Sequence, residues 1–180
     1  MITARMSASD WGLLLLLSLI WGGSFFLIAL IVGHMPVLWV VALRVMIAAA
    51  VLWAIVLATG RALPRGAGLW GAFLVMGVLN NAIPFGLIVW AQGFIPAGLA
   101  SILNATTPLF TVLVSTLVLA DERAGLTRLA GVALGLGGVA VMIGVDELAG
   151  HGHGVLPQLA MLGAAISYAW AAAFGRRFRA

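Results

Sequence analysis

The residues of this chain that could do chemistry are few, and several of them interrupt apolar stretches. The clearest case is ILNATTPLF at residues 102–110, which sets an asparagine, two threonines and a proline among apolar neighbours. Helical spacings of three and four place six residues on one stripe: Ser101, Asn104, Thr107, Pro108, Thr111 and Ser115. Because unpaired polar groups are costly in apolar surroundings, we interpret this stripe as the lining of a cavity. Hydrogen bonding between helices is the alternative.

A second polar group interrupts the preceding apolar stretch. Asn80 and Asn81 are adjacent, and Pro84 lies one helical turn after Asn80. Neighbouring asparagines point in different directions on a helix, so at least one should face inward. A proline-interrupted membrane helix with polar neighbours points to a transport site. We therefore take both asparagines as candidate substrate-binding residues. Gln92 follows at the end of this stretch, where we interpret it as solvated at the membrane interface.

Two aromatic residues complete the candidates for a binding pocket. Trp and Tyr in membrane proteins usually belong to belts at the two interfaces. Trp21 and Tyr168 lie deeper in their apolar stretches, and Trp21 is followed by Gly22 and Gly23. We predict that both line a pocket, and interfacial anchoring remains the alternative for each.

The composition identifies the solvent that surrounds these residues. Of the 180 residues, 64% are hydrophobic and 8% are charged, whereas soluble domains carry about 25% charged residues. The chain is therefore predicted to be an all-α, polytopic transmembrane helix bundle. A membrane helix needs about 20 apolar residues, and six spans meet this requirement: Trp11–Val32, Val37–Ala58, Leu69–Trp90, Ala97–Ala120, Leu126–Val145 and Val155–Phe174.

Arg44 is the one ionisable residue deep inside a predicted span. It lies about 10 Å from the start of the second span by helical rise, and a charge at the bilayer centre costs about 2.5–3.5 kcal/mol on insertion scales. The carboxylates of the chain are all at helix ends or in loops: Asp10, Asp121, Glu122, Asp146 and Glu147. Arg44 therefore either extends to the interface or binds backbone carbonyls, an anionic substrate group or helices outside this chain. We include it among the candidate substrate-binding residues.

The distribution of arginine predicts the orientation in the membrane. Eight arginines precede, separate or follow the predicted spans on one side, and the loops on the other side contain no Lys or Arg. These eight are Arg5, Arg61, Arg65, Arg123, Arg128, Arg176, Arg177 and Arg179. Since positively charged loops remain in the cytoplasm, both termini are predicted to be cytoplasmic.

Other functional classes find little support in the sequence. The arginines are scattered rather than clustered on one basic face, which argues against nucleic-acid binding. There is no cysteine, so neither a disulfide nor a thiolate metal site is available. His151 and His153 could bind a metal weakly, but a flexible glycine-rich loop is the simpler interpretation. Motifs of hydrolases, metalloproteases and P-loop ATPases are absent. We predict no enzyme activity, no metal and no cofactor.

Several stretches resemble one family of membrane proteins. They are IWGGSFF (20–26), ALRVMIAA (42–49), NNAIPFGLIVWAQGFIPAGLASILNATTPLFTVLVS (80–115), LADERAGLTRLAGVALGLGGVAVMIG (119–144) and GVLPQLAMLGAAISYAW (154–170). With them the chain resembles the drug/metabolite transporter superfamily, and within it the EamA-like permeases. The resemblance implies a ten-helix transporter of the bacterial inner membrane, built from two inverted five-helix repeats. It also implies transport of small, amino-acid-like metabolites by alternating access.

Compared with this family pattern, residues 11–145 correspond to the first repeat and residues 155–180 to the opening helix of the second. Four family helices are not in the sequence, so we expect a fragment, or a chain that pairs with a second chain. The expected partners are the lipid bilayer, a small-molecule substrate and those missing helices. A membrane scaffold or subunit that does not transport, or an inactive fragment, is the alternative function.

Overall fold

The computed structural model describes residues 6–61, 63–64, 66–119, 124–144 and 154–179. Eight α-helices occupy most of these ranges: α1 (Ala8–Ile31), α2 (Val37–Ala58), α3 (Ala67–Gly77), α4 (Ile83–Ala91), α5 (Ala97–Asn104), α6 (Thr107–Val118), α7 (Leu126–Ile143) and α8 (Val155–Gly175). A π-helical turn, Val78–Ala82, joins α3 to α4, and a 3-10 turn, Arg176–Arg179, follows α8. Six helical segments of the described ranges are long and apolar enough to cross a membrane. The predicted all-α bundle with six spans is thus confirmed, with bounds that differ by a few residues.

The sixth span lies at the centre of the bundle. Helix α8 packs against α4, α5 and α6. Of the 18-residue apolar stretch in the sixth span, 44% is buried, compared with 6% of the corresponding stretches in α1 and α2. Its buried face consists largely of small residues: Ala164, Ala165, Ser167, Ala169 and Ala171. Small side chains let neighbouring helices approach closely in a membrane. The remaining helices lie outside this centre, α1 against α5, α2 against α4 and α7 against α6.

The third span changes its hydrogen-bond register at the predicted polar group. In the π turn the Ile83 N–H donates to the carbonyl of Val78, five residues earlier. The next donor in this register would be residue 84, which is a proline and has no N–H. The Leu79 carbonyl is therefore left without its helical partner, and the Ser167 hydroxyl of α8 donates to it at 2.7 Å. This bond joins the third span to the central helix.

The fourth span is broken at the threonines of ILNATTPLF. Helix α5 ends at Asn104 and α6 begins at Thr107, with Ala105 and Thr106 in a turn between them. Pro108 cannot donate to the Asn104 carbonyl, and the Thr107 hydroxyl donates to it instead, at 2.7 Å. The Thr106 hydroxyl donates to the Leu103 carbonyl at 2.6 Å. Local hydroxyls thus satisfy the backbone groups that the break releases, as membrane-embedded backbone requires.

The two ends of the bundle can be told apart by the described contacts. The Phe178 ring, after α8, stacks on Phe73 near the start of the third span, with centroids 5.5 Å apart. Because Arg61 precedes the third span and Arg176 follows α8, these arginines lie toward the same end. His151 and His153 lie outside the described residues.

Candidate functional site

A cavity of about 750 Å³ lies between the first four spans and α8. This volume is within the range of small-molecule sites, roughly 300–1,000 Å³. The π turn of the third span and the helix break of the fourth span both contribute to its wall. The lining residues that matter most are Trp21, Phe25, Arg44, Asn80, Phe85, Ser101, Asn104, Thr107 and Tyr168.

Six of the seven residues taken from the sequence as candidates line this one cavity: Trp21, Arg44, Asn80, Asn104, Thr107 and Tyr168. Asn81 is half-buried and is not among the lining residues. Ser101 and Pro108 of the polar stripe also line it, whereas Thr111 and Ser115 do not. The role of the six lining candidates in substrate binding stays a prediction. The structure brings their side chains together from five different spans.

The π turn explains why Asn80, and not Asn81, faces the cavity. A π turn adds one residue to a helical turn, so residues five apart come onto the same side. Asn80 and Phe85 are five apart and both line the cavity. In an uninterrupted α-helix Phe85 would share a face with Asn81 instead, because helical neighbours are four apart. The sequence analysis did not identify Phe85 as a lining residue.

Arg44 lies at the cavity wall, on an aromatic ring. Its guanidinium carbon is 4.2 Å from the centroid of Phe85, which is a cation–π distance. The guanidinium is therefore held inside the bundle by the third span and does not simply extend along α2 to the interface. Asp10, the one carboxylate residue within the described part of the chain, is not among the lining residues, and the other four lie outside the described residues.

Asn104 and Thr107 supply hydrogen-bond acceptors at the break of the fourth span. The Asn104 side-chain oxygen, Oδ1, is buried and has no hydrogen-bond partner among the described residues. The Thr107 hydroxyl donates its hydrogen bond to the Asn104 backbone carbonyl. Its oxygen can therefore only accept a further hydrogen bond. This part of the cavity is therefore suited to a ligand that donates hydrogen bonds.

The structure corrects the interpretation of Gln92 that was made from the sequence. We expected it to be solvated at the interface, but it is only 5% exposed. Its Nε2 group donates to the backbone carbonyl of Phe25 at 2.9 Å. Since Phe25 lines the cavity, Gln92 holds α1 in place as one cavity wall. Its position after the last apolar turn of α4 gave no signal of this long-range bond.

Comparison with known proteins agrees with the membrane-spanning fold and the cavity. The sequence matches the model of the EamA-like transporter family over residues 11–144. The chain belongs to the EamA-like transporter family. This EamA-like chain thus has its cavity lined mostly by residues within the matched range, and Tyr168 of α8 lies beyond it.

Bacterial relatives of this EamA-like chain include two proteins of Escherichia coli K12. The "Uncharacterized inner membrane transporter YedA" is 32% identical over 168 residues, which cover 93% of this chain and 53% of that protein. The "Probable amino-acid metabolite efflux pump" is 32% identical over 174 residues, covering 96% of this chain and 55% of that protein. This chain therefore spans about half the length of the curated relatives it matches. No solved structure matches it.

Proposed function

We propose that this chain forms part of an inner-membrane transporter that moves small, amino-acid-like metabolites through the cavity between its spans. The observation that carries the proposal is the convergence of six polar and aromatic residues, from five spans, on one cavity of about 750 Å³. Membership of the EamA-like family and the names of the relatives support the same function. We propose no catalytic role for the cavity.

The proposed mechanism is alternating access around this cavity. Two of its walls depart from regular α-helix beside lining residues: the third span has a π turn at Asn80, and the fourth span has a helix break after Asn104. Broken helices in transporters form binding sites near the middle of the membrane and let parts of the bundle move relative to each other. In this proposal residues 11–145 form one repeat and residues 155–180 begin an inverted second repeat. Further helices of that repeat, in the same chain or in a second chain, complete the pathway.

The test of this function uses Asn104, whose amide oxygen has no partner among the described residues. We expect Asn104→Leu to reduce uptake of radiolabelled amino acids into proteoliposomes about tenfold or more, because a hydrogen bond to a charged group is worth about 1.5–3 kcal/mol. The melting temperature in detergent should change little, since no bond described within the protein is lost from this oxygen.

Thr116→Val is the matched control for Asn104→Leu. Thr116 lies in the same span, is not among the cavity-lining residues, and its hydroxyl bonds to the Val112 carbonyl. We expect its uptake to equal that of the unaltered chain. Equal uptake by Asn104→Leu would remove this residue from the transport site. If the unaltered chain, together with the helices that complete the pathway, shows no uptake above empty liposomes, the scaffold or subunit alternative replaces transport.

A further inference from the structure

The charge of the cavity is positive, and none of the described residues that line it carries a negative charge. Arg44 is the only ionised side chain among the lining residues that the structure describes, since Tyr168 is a neutral phenol at pH 7. A half-buried cation without a counterion is unfavourable, because burial removes water that would otherwise solvate it. An anion that enters the cavity restores a pair and is therefore favoured there. A cationic ligand meets a like charge in a region of low dielectric and is disfavoured.

The geometry at Arg44 restricts which anions fit. Phe85 covers one side of the guanidinium, with the carbon Cζ 4.2 Å from the ring centroid. A cation–π contact does not require a hydrogen bond from the guanidinium to an oxygen acceptor, so its N–H donors remain available to another partner. A carboxylate accepts two of these donors in parallel, which gives both strength and orientation. Lysine lacks this fork and would bind the same group as a point charge only.

The break of the fourth span provides the complementary group. Asn104 lines the cavity, and its Oδ1 is buried and has no hydrogen-bond partner among the described residues. A buried acceptor without a partner costs free energy, which a donor from the ligand recovers. Other lining residues are polar, such as Asn80 and Ser101, and Trp21, Phe25 and Ile88 add aromatic and apolar surface. The cavity thus offers a carboxylate position, an N–H acceptor and an apolar surface.

We infer that this cavity requires a carboxylate on its ligand, which binds Arg44, and that an N–H group of the same ligand binds Asn104 Oδ1. The inference deepens the proposed function and rests on the same cavity. It separates small amino acids and related carboxylates, which are accepted, from amines of the same size that lack a carboxylate, which are rejected. The third and fourth spans determine this selectivity together, since Phe85 positions Arg44 and the helix break exposes Asn104.

A matched set of four small molecules tests this selectivity by calorimetry on the purified chain in phosphatidylcholine nanodiscs. The set is L-leucine, L-leucinamide, isoamylamine and isocaproate, which share an isobutyl side chain and differ in the carboxylate and the amino group. We expect L-leucine to bind tightest. L-Leucinamide and isoamylamine should bind at least about tenfold more weakly, equivalent to about 1.4 kcal/mol. Isocaproate, which keeps the carboxylate, should lie between L-leucine and the two amines.

Variants of Arg44 assign the selectivity to this side chain. Arg44→Gln should remove the preference for L-leucine over L-leucinamide, and Arg44→Lys should retain part of it because the charge remains. Arg61→Gln removes an arginine that is not among the lining residues, and we expect it to behave like the unaltered chain. Melting curves identify a variant that fails to fold, and Arg44→Lys then decides the question.

Three results would overturn the inference: equal affinity for isoamylamine and L-leucine, a preference that survives in Arg44→Gln, or no binding of any of the four.

The headgroup of an anionic lipid is another source of negative charge for Arg44. Repeating the titrations with phosphatidylglycerol separates the two, since loss of L-leucine binding there would assign Arg44 to lipid. Uptake into proteoliposomes is measured in parallel. Uptake that amines inhibit as well as amino acids contradicts only the inference, and selective binding without uptake contradicts only the transport function.

Discussion

At the end of α4, Gln92 reaches across to α1 and fixes part of the cavity wall. Its amide donates to the Phe25 carbonyl at 2.9 Å, although the two residues are 67 positions apart in the chain. Glutamine is uncharged, so the bond is of the ordinary kind in membrane proteins, worth about 0.6 kcal/mol on average and about 1.7 at most. A bond of this strength can hold a helix in one position and still release it when the bundle moves.

Replacing Gln92 should therefore increase the mobility of α1, whereas the free energy of unfolding of the bundle should fall only slightly. We expect Gln92→Leu to raise the rate at which a thiol reagent labels a cysteine placed at Ser24, a cavity-lining position on α1, by several-fold. The chain has no native cysteine, so the label reports this position alone. Ser18→Ala removes an exposed hydroxyl that bonds within α1, and it should leave the rate unchanged. An unchanged rate in Gln92→Leu would show that other contacts hold α1.

At the scale of the elements, the π turn of the third span depends on a residue of the sixth. Pro84 leaves the Leu79 carbonyl without a backbone donor, and the Ser167 hydroxyl takes that place at 2.7 Å. This π turn, Val78–Ala82, contains Asn80, which lines the cavity. Ser167 is thus a positioning residue, because it stabilises the register that brings Asn80 and Phe85 to one side.

A double-mutant cycle tests this dependence. We expect Ser167→Ala to lower stability by about 0.6 kcal/mol, and by about 1.7 at most, as for other hydrogen bonds between membrane helices. In a Pro84→Ala background the backbone regains its own donor, so the same change at Ser167 should cost less. Unfolding in mixed detergent measures the four variants. Additive effects of the two substitutions would contradict the link between Pro84, Leu79 and Ser167.

The sequence predicted the spans well and their internal register poorly, for a physical reason. Span length follows from the thickness of the hydrocarbon core, so a continuous apolar run is enough to locate a helix. Pro84 and Pro108 indicated interruptions, yet a proline does not determine whether the helix continues through a π turn or stops and restarts. The third span does the first and the fourth span the second. The partner that decides the outcome for Pro84 is Ser167, 83 positions later in the sequence, and no local pattern reveals it.

At the scale of the whole molecule, the spans differ in how much of their surface the described bundle covers. Helix α8 is enclosed by α4, α5 and α6, whereas α1 and α2 expose most of their apolar side chains. The sequence analysis located all three helices as spans but did not predict this difference, although α8 is the least hydrophobic of the three. We propose that lipid or further helices of the second repeat cover the exposed faces of α1 and α2.

The orientation of the bundle in the membrane is a prediction from the distribution of arginine, and two exposed loop residues test it. Leu63 lies between the second and third spans beside Arg61, and Phe94 lies in the loop between α4 and α5 on the arginine-free side. Since loops with positive charge stay in the cytoplasm, a membrane-impermeant thiol reagent applied to intact cells should label Phe94→Cys and leave Leu63→Cys unlabelled. Permeabilised cells provide the control, because both positions are exposed and both should then react. Labelling of Leu63→Cys alone in intact cells would place the termini outside the cytoplasm and contradict the predicted orientation.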